Sequence, residues 1–426
     1  MAALASILYD LGNEVIGYDD MIDHAYTEGP LQERNILIVH EPIELDPQTI
    51  VVSSAAIREE HPEIQRIRAL GLQEYPYQEM LGKLTREHHT IAISGTHGKT
   101  TITSMLASIF SDASYFIGDG TGKGSQENKY FIIEACEYNR HFLSYQPSVL
   151  VVSNIDLEHV ECYRDMDDLK DTFTELINKT SDKVIVCGDD FQIKSLKTNK
   201  NLIYYGLDET NDIYIKNKVV SEDGVSFDVY IYDTFYDHFT ITLFGEHNLL
   251  NCLAVIMVSY LEGVPVEVIK ERLQHFQGAK RRFKETKFDG IITIDDYAHH
   301  PTEIKATIGA VREKYPDQKL IAIFRPNTYS RTQRFYQEFA EALNLADYAY
   351  VTPIYDDRER KEEYEGVTSD LILEQLRDGE LLLDEDIAKV LEQGNGVYLF
   401  MSCKNIYLLK EKMEELIHER RKDRGR

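Results

Sequence analysis

The stretch Ile91–Thr101, IAISGTHGKTT, decides how the rest of the chain is read. A short β-branched run enters a glycine turn and leaves through Gly-Lys-Thr-Thr, which predicts a strand, a turn and the start of a helix. Such a joint aims backbone N–H groups and the positive helix end at an anion. Gly95 and Gly98 would let the backbone approach phosphates closely, with Thr96 and His97 between them and Thr101 just beyond. Lys99 adds a point charge for β- and γ-phosphates, and the Thr100 hydroxyl is placed to bind Mg²⁺. Yet only two residues separate the glycines, where the common phosphate loop has four. A plain strand–turn–helix joint with a surface lysine is the alternative, so the surrounding sequence has to decide.

Upstream, ALASILYDLG reads as a helix, EVIGYDD, NILIVH and TIVVSSAA as short buried strands, and PEIQRIRALG as another helix. That alternation predicts a parallel, doubly wound sheet. Downstream come the strands YFIIEACE, SVLVVSNID and KVIVCGDD, an antiparallel-looking stretch VSFDVYIYDTFYDHFTITLFG, and the helix HNLLNCLAVIMVSYLEG. GIITIDDYAHHP, KLIAIFRP, ADYAYVTPIY and NGVYLFM then lead to a charged C-terminal helix. The fold class expected is α/β in three domains. These are a Rossmann-like unit over 1–86, a central phosphate-loop unit with a mostly parallel sheet over 87–285, and a second Rossmann-like unit over 286–426.

Composition narrows the function classes. A formal charge of -27 disfavours nucleic-acid partners, although a few amides and one lysine still hold a small anion locally. No run of eighteen apolar residues exists to span a bilayer and MAALASILYDLGNEV lacks signal-peptide features, so no membrane association and a cytoplasmic location are expected. Five cysteines, odd in number, scattered and never in CxxC spacing, suggest neither a disulfide framework nor a zinc knuckle.

Two strand-end groups extend the anion site. Glu134 closes FIIE and His159 follows VVSNIDLEH, and a carboxylate and an imidazole at adjacent sheet ends could hold a second Mg²⁺. Each could equally cap the helix that follows it.

GTHGKTT, EACEYNRHFL, SNIDLEH, GEHNLLN, GAKRRF, DDYAHHP and FRPNTYSRT together resemble the Mur ligases, in which they occur in this order across nearly the whole chain. That family's phosphate loop has the short glycine spacing. The doubled histidine and EACEYNRHFLSYQP are most similar to members that join L-alanine to the lactyl carboxylate of UDP-N-acetylmuramate. The resemblance implies ATP and Mg²⁺ as cofactors and an acyl-phosphate intermediate; a monomer or weak homodimer is expected. It implies that Lys99 grips the β/γ-phosphates, that Thr100 holds one Mg²⁺, and that Glu134 and His159 hold the second. His247, Asn248 and Asn251 match positions near adenine and phosphate, and would otherwise read as a capped helix entry. Arg282 and Asp296 match positions that reach the nucleotide, while Tyr297, His299 and His300 line the cleft. Arg331 is the candidate for the carboxylate of the incoming amino acid, because guanidinium matches carboxylate bidentately. Asp19, Ser53 and Ser54, at strand ends, would contact the uridine diphosphate.

The sequence also departs from the family. Its first domain should open with a strand and a glycine-rich loop, whereas this chain begins MAALA, so that piece is expected to be missing through a misplaced start or truncation. Glu158 stands for an aspartate and Asn327 for a histidine, and Ser402-Cys403-Lys404-Asn405 replaces a Gly-Ala-Gly-Asp turn. Losing both glycines there should cost close approach and a position that tolerated positive φ. A recycling ligase that attaches a preformed murein peptide, or a silent nucleotide-binding homologue, would show at these positions. Folate polyglutamate synthases share the phosphate loop but not the first domain.

Overall fold

A computed structural model describes residues 1–20, 29–127, 129–157, 162–279, 281–355 and 359–424. His159, one of the expected metal ligands, and Glu158 lie outside the described residues. The chain falls into two compact units. The first comprises Met1–Lys218, Ser226–Thr240 and Leu250–Phe276; the second comprises Val219–Val225, Ile241–Leu249 and Gln277–Arg426.

At the start of the first unit, β1 (Ile16–Tyr18) pairs with β2 (Leu37–Val39), and β3 (Ile50–Ser53) with β4 (Gln73–Pro76), both in parallel. The expected alternation is present, but these are two separate two-stranded sheets. They are not the buried strands expected either: Ile16, Leu37 and Ile50 are 47%, 59% and 48% exposed. A two-stranded sheet covers too little of its own side chains to hide them. The opening helix, Ala2–Asp10, packs instead against a hairpin farther on, where a Cβ on Gly122 would meet Ala3 O at 2.2 Å and one on Gly124 would meet Ile7 O at 2.5 Å.

The main sheet contains β5 (His89–Ser94), β6 (Ser114–Phe116), β7 (Gly122–Lys123), β8 (Tyr130–Glu134), β9 (Val149–Val152), β10 (Lys183–Cys187), β11 (Leu202–Tyr205), β12 (Ile213–Ser221), β13 (Gly224–Ile231) and β14 (Thr234–Ile241). Its order is β14-β13-β12-β11-β10-β9-β5-β8-β6-β7. From β12 back through β10, β9 and β5 to β8 and β6 the pairing is parallel. Such strands need both faces covered, and Ile91, Ala92 and Ile93 of β5 are fully buried. Two-residue turns at Glu222–Asp223 and Tyr232–Asp233 join the last three strands, a connection that only antiparallel neighbours accept.

The second unit carries β15 (Lys284–Lys287), β16 (Ile291–Asp296), β17 (Leu320–Phe324), β18 (Tyr348–Val351), β19 (Gly379–Leu381) and β20 (Gly396–Met401), ordered β15-β16-β20-β17-β18-β19. All pairs are parallel except β15 with β16. Alternate residues of β17 feed two cores: Ala322 and Phe324 on one face, Ile321 and Ile323 on the other. This is the doubly wound architecture expected of the C-terminal part, with the carboxyl ends of β16, β20 and β17 side by side.

Candidate active site

The phosphate loop leaves the buried end of β5 and enters the helix Lys99–Ile109. Gly95 and Gly98 adopt φ of +125° and +86°. A Cβ on Gly95 would lie 2.2 Å from Ser153 Oγ, and one on Gly98 2.6 Å from Asn251 Oδ1, so both positions exclude any side chain. The two residues between them are tied to the segment leaving β9. Thr96 N donates to Asn154 O (3.0 Å) and His97 N to Asn154 Oδ1 (2.8 Å), while Asn154 Nδ2 and Ser153 Oγ both donate to His97 O. Thr96 Oγ1 donates to Asp156 O (3.0 Å) and lies 2.8 Å from Asp156 N. The short glycine spacing works because a neighbouring strand end braces the loop.

Lys99 and Thr100, consecutive on the helix, each meet a carboxylate. Thr100 Oγ1 donates to Glu134 Oε2 at 2.9 Å, and the same oxygen accepts from Gly118 N at 2.9 Å. Burial raises the Glu134 pKa, against the opposing pull of Lys99. Lys99 Nζ donates to Gly95 O (2.5 Å), Thr96 O (2.9 Å) and Glu137, whose Oε2 is 3.0 Å away. Burial pulls the Lys99 pKa down, but Glu137, with Cys136 and Glu134 behind it, outweighs this and holds it above the ordinary lysine value. The thiol of Cys136, between these acids, is pushed up to about 12 by burial. Sequence reasoning missed Glu137; the one signal was a second acid three residues after Glu134 in EACE.

A hydroxyl and a carboxylate in contact at a helix N-terminus are hard oxygen donors, which fit a magnesium ion. Thr100 and Glu134 would hold it. Asn251, buried on the helix Glu246–Leu261, is a further first-unit candidate and sits against Gly98. At the start of this unit, Asp19 and Ser53–Ser54 do lie at strand ends. Ser53 Oγ donates to Glu74 Oε1 at 2.9 Å, and a 2.8 Å contact of His61 Nε2 with Asp20 Oδ2 links the region after β3 to the end of β1.

In the second unit, Asp296 ends β16 and is 4% exposed. Its oxygens accept from Phe283 N and Ala298 N, both at 2.9 Å, and from Thr307 Oγ1 at 3.3 Å. Burial raises its pKa and Arg282, 3.9 Å away, opposes this. Arg282 also donates to Glu303 at 3.3 Å, between Arg281 and Phe283 at left-handed φ of 55° and 51°. His247 follows Gly245 and is held neutral: burial first, then Arg282, lower its pKa to about 4. Asn248 Nδ2 donates to Phe244 O at 2.8 Å. Tyr297 stacks on Arg281 and Arg282, His299 Nδ1 lies 3.0 Å from Glu303 Oε2, and His300 caps the helix Pro301–Lys314.

Arg331 lies in the first turn of the helix Tyr329–Leu343. Its amide meets the Thr328 cap, while the Glu359 carboxylate accepts from Tyr329 N (2.8 Å) and Ser330 N (3.0 Å). The altered turn is built rather than strained: none of Ser402, Cys403, Lys404 and Asn405 adopts positive φ. Ser402, fully buried, donates through Oγ to Arg325 O at 3.0 Å and accepts from Lys404 N at 3.1 Å. Arg325 Nη1 reaches Asn405 Oδ1 at 2.6 Å, its Nη2 pairs with Asp384, and Cys403 Sγ lies 3.4 Å from Asn327 Oδ1. The positive φ expected at this turn is therefore absent, and its backbone follows a path open to any residue.

A braced glycine loop that buries a lysine and a hydroxyl against carboxylates, on a parallel sheet, defines a phosphate-loop nucleotide-binding α/β protein. The models of the Mur ligase family match residues 1–89 (catalytic domain), 93–259 (middle domain) and 281–402 (glutamate ligase domain). A UDP-N-acetylmuramate--L-alanine ligase of Lacticaseibacillus paracasei is 38% identical over 423 residues, covering 98% of this chain and 96% of that one. Among solved structures, a UDP-N-acetylmuramate-alanine ligase of Thermotoga maritima superposes with a TM-score of 0.79 at 24% identity, over 98% of this chain and 96% of that one. The MurF ligase of the same organism, solved in complex with ADP, has a TM-score of 0.69 at 18% identity over 88% and 96%. The chain belongs to the Mur ligase family.

Proposed function

We propose that this protein is an ATP-dependent ligase that joins L-alanine to UDP-N-acetylmuramate in peptidoglycan synthesis. The observation that carries the reading is the braced loop with Lys99 and Thr100 set against Glu134, in a chain similar end to end to such a ligase. The lactyl carboxylate attacks the γ-phosphorus and ADP departs. The L-alanine amine then attacks the acyl carbon, forming the amide and expelling phosphate. No side chain needs to form a covalent bond, so positioning and charge neutralisation supply the catalysis.

Lys99 binds the β/γ-phosphates, and the first-turn amides of the helix Lys99–Ile109 receive the remaining charge. Thr100 and Glu134, with His159, hold Mg²⁺, which when bound would neutralise phosphate charge. Asn251, Asn248, His247, Arg282 and Asp296 serve the nucleotide, Asp19, Ser53 and Ser54 the uridine diphosphate. Arg331, with His299 and His300, serves the amino acid. Among the described residues no helix is long and apolar enough to cross a membrane.

The test is phosphate release from MgATP with UDP-N-acetylmuramate, offering L-alanine, glycine, L-serine or a murein tripeptide in turn, with the amide product weighed by mass spectrometry. Release strongest with L-alanine supports the proposal. Preference for the tripeptide would replace it with a recycling role, and nucleotide binding without turnover would mark a silent homologue.

A further inference from the structure

The phosphate-loop lysine is already fully engaged. An ammonium has three protons, and Lys99 directs them at Gly95 O, Thr96 O and the Glu137 carboxylate. The two carbonyls belong to the loop and are fixed with it. Glu137 is therefore the partner that an incoming phosphate must replace. Its side chain is 2% exposed and that of Lys99 11%, so the pair is shielded from water on both sides.

The chain around Glu137 is held with unusual effort. Asn139 and Arg140 are consecutive left-handed residues, at φ/ψ of 48°/30° and 57°/21°. Asparagine takes up this region readily, but for Arg140 it has a steric cost and persists only where the surroundings enforce it. Arg140 enforces it. Nη2 reaches both oxygens of Asp168 at 2.9 Å, Nη1 bonds Thr172, and the guanidinium lies 5.1 Å from the centre of the Tyr163 ring. The Tyr163 hydroxyl in turn donates to Glu137 O at 2.5 Å. A clamp of Arg140, Tyr163 and the Glu137 carbonyl thus sets where the Glu137 carboxylate points.

We infer that Glu137 is a displaceable counter-ion for Lys99, posed by the Arg140–Tyr163 clamp, and that it keeps the phosphate loop closed to a nucleoside triphosphate lacking a divalent cation. The inference rests on the nucleotide reading of the loop. A bare triphosphate meets two carboxylates, Glu134 and Glu137, and has to take Lys99 from one of them. Removing the charge at Glu137 removes both the competitor and part of the repulsion. A residue needed only for structure would behave oppositely, weakening every ligand when changed.

The experiment is calorimetric titration of the full chain with ATP and with ADP, in EDTA and in Mg²⁺. Glu137→Gln is expected to bind metal-free ATP about tenfold more tightly than the unaltered protein, so that the affinity gained on adding Mg²⁺ shrinks. Arg140→Lys, which keeps charge but loses the second nitrogen that reaches Thr172, should shift metal-free binding in the same direction by less. Equal or weaker metal-free binding by Glu137→Gln, with nucleotide still bound by the unaltered chain, overturns the counter-ion role. Failure of the unaltered chain to bind either nucleotide with Mg²⁺ overturns the nucleotide reading itself. Should Glu137→Gln not fold, Glu137→Asp serves: its shorter reach must raise metal-free affinity, and unchanged affinity would refute the proposal.

Discussion

At the scale of single residues, the buried pair makes stability testable apart from turnover. Lys99→Met strands the Glu137 carboxylate at 2% exposure and should cost on the order of 3 kcal/mol, seen as a lower thermal midpoint. Adding Glu137→Gln should recover a clear part of that loss; a double variant no more stable than the single would show that the carboxylate was not left uncompensated. His247 offers a pH test. Its pKa is lowered to about 4 from 6.5, so the unfolded chain takes up this proton at higher pH than the folded one. The associated stability is present above about pH 6.5 and fades as pH falls toward 4, by on the order of 3 kcal/mol at most. His247→Gln should therefore lose less thermal stability than the unaltered protein across that window, and parallel curves would refute the assignment. Lys99, Thr100 and Glu134 were legible in the sequence because a strand, a turn and a helix fix where such groups point. Glu137 was not, because an acid three residues past a strand end carries no periodic signal, and its pairing with Lys99 shows only in the folded structure.

At the scale of elements, β-branched runs announced the central strands, which the structure contains where expected, while β4, β6, β7, β11, β12, β15 and β19 went unannounced. What the runs could not reveal is how elements are stitched at their ends. The two-residue spacing of the phosphate loop raised a doubt that hydrogen bonds from Ser153, Asn154 and Asp156 resolve, and these bonds follow from β9 lying beside β5. The Ser402–Asn405 turn misled in the other direction. Read against glycines it suggested strain, but its φ values are ordinary and the Ser402 hydroxyl joins it to Arg325. Restoring the glycines with Ser402→Gly and Lys404→Gly should therefore destabilise, by about 1–2 kcal/mol for the lost buried hydrogen bonds and added chain freedom. A higher denaturation midpoint for the double variant would show that the turn is strained after all.

At the scale of the whole molecule, burial is uneven. The central strands β5, β8 and β9 are closed on both faces, whereas the two parallel pairs at the start leave Ile16, Leu37 and Ile50 open. Amide exchange follows local opening, so β1 to β4 should exchange fastest among the strands and β5 slowest; uniform protection would contradict this. The alternation of helices and strands foretold the elements of this region but not their exposure, since burial depends on how many strands a sheet assembles. The seat of the opening helix, Ala2–Asp10, adds a consequence in time. Ala3 and Ile7 rest on Gly122 and Gly124, glycines that no side chain could replace without displacing the helix backbone. A growing chain leaves the ribosome at about 5–20 residues per second, so the helix emerges and then waits roughly ten seconds for its seat to be made. This helix thus cannot dock until a hairpin made well after it has emerged.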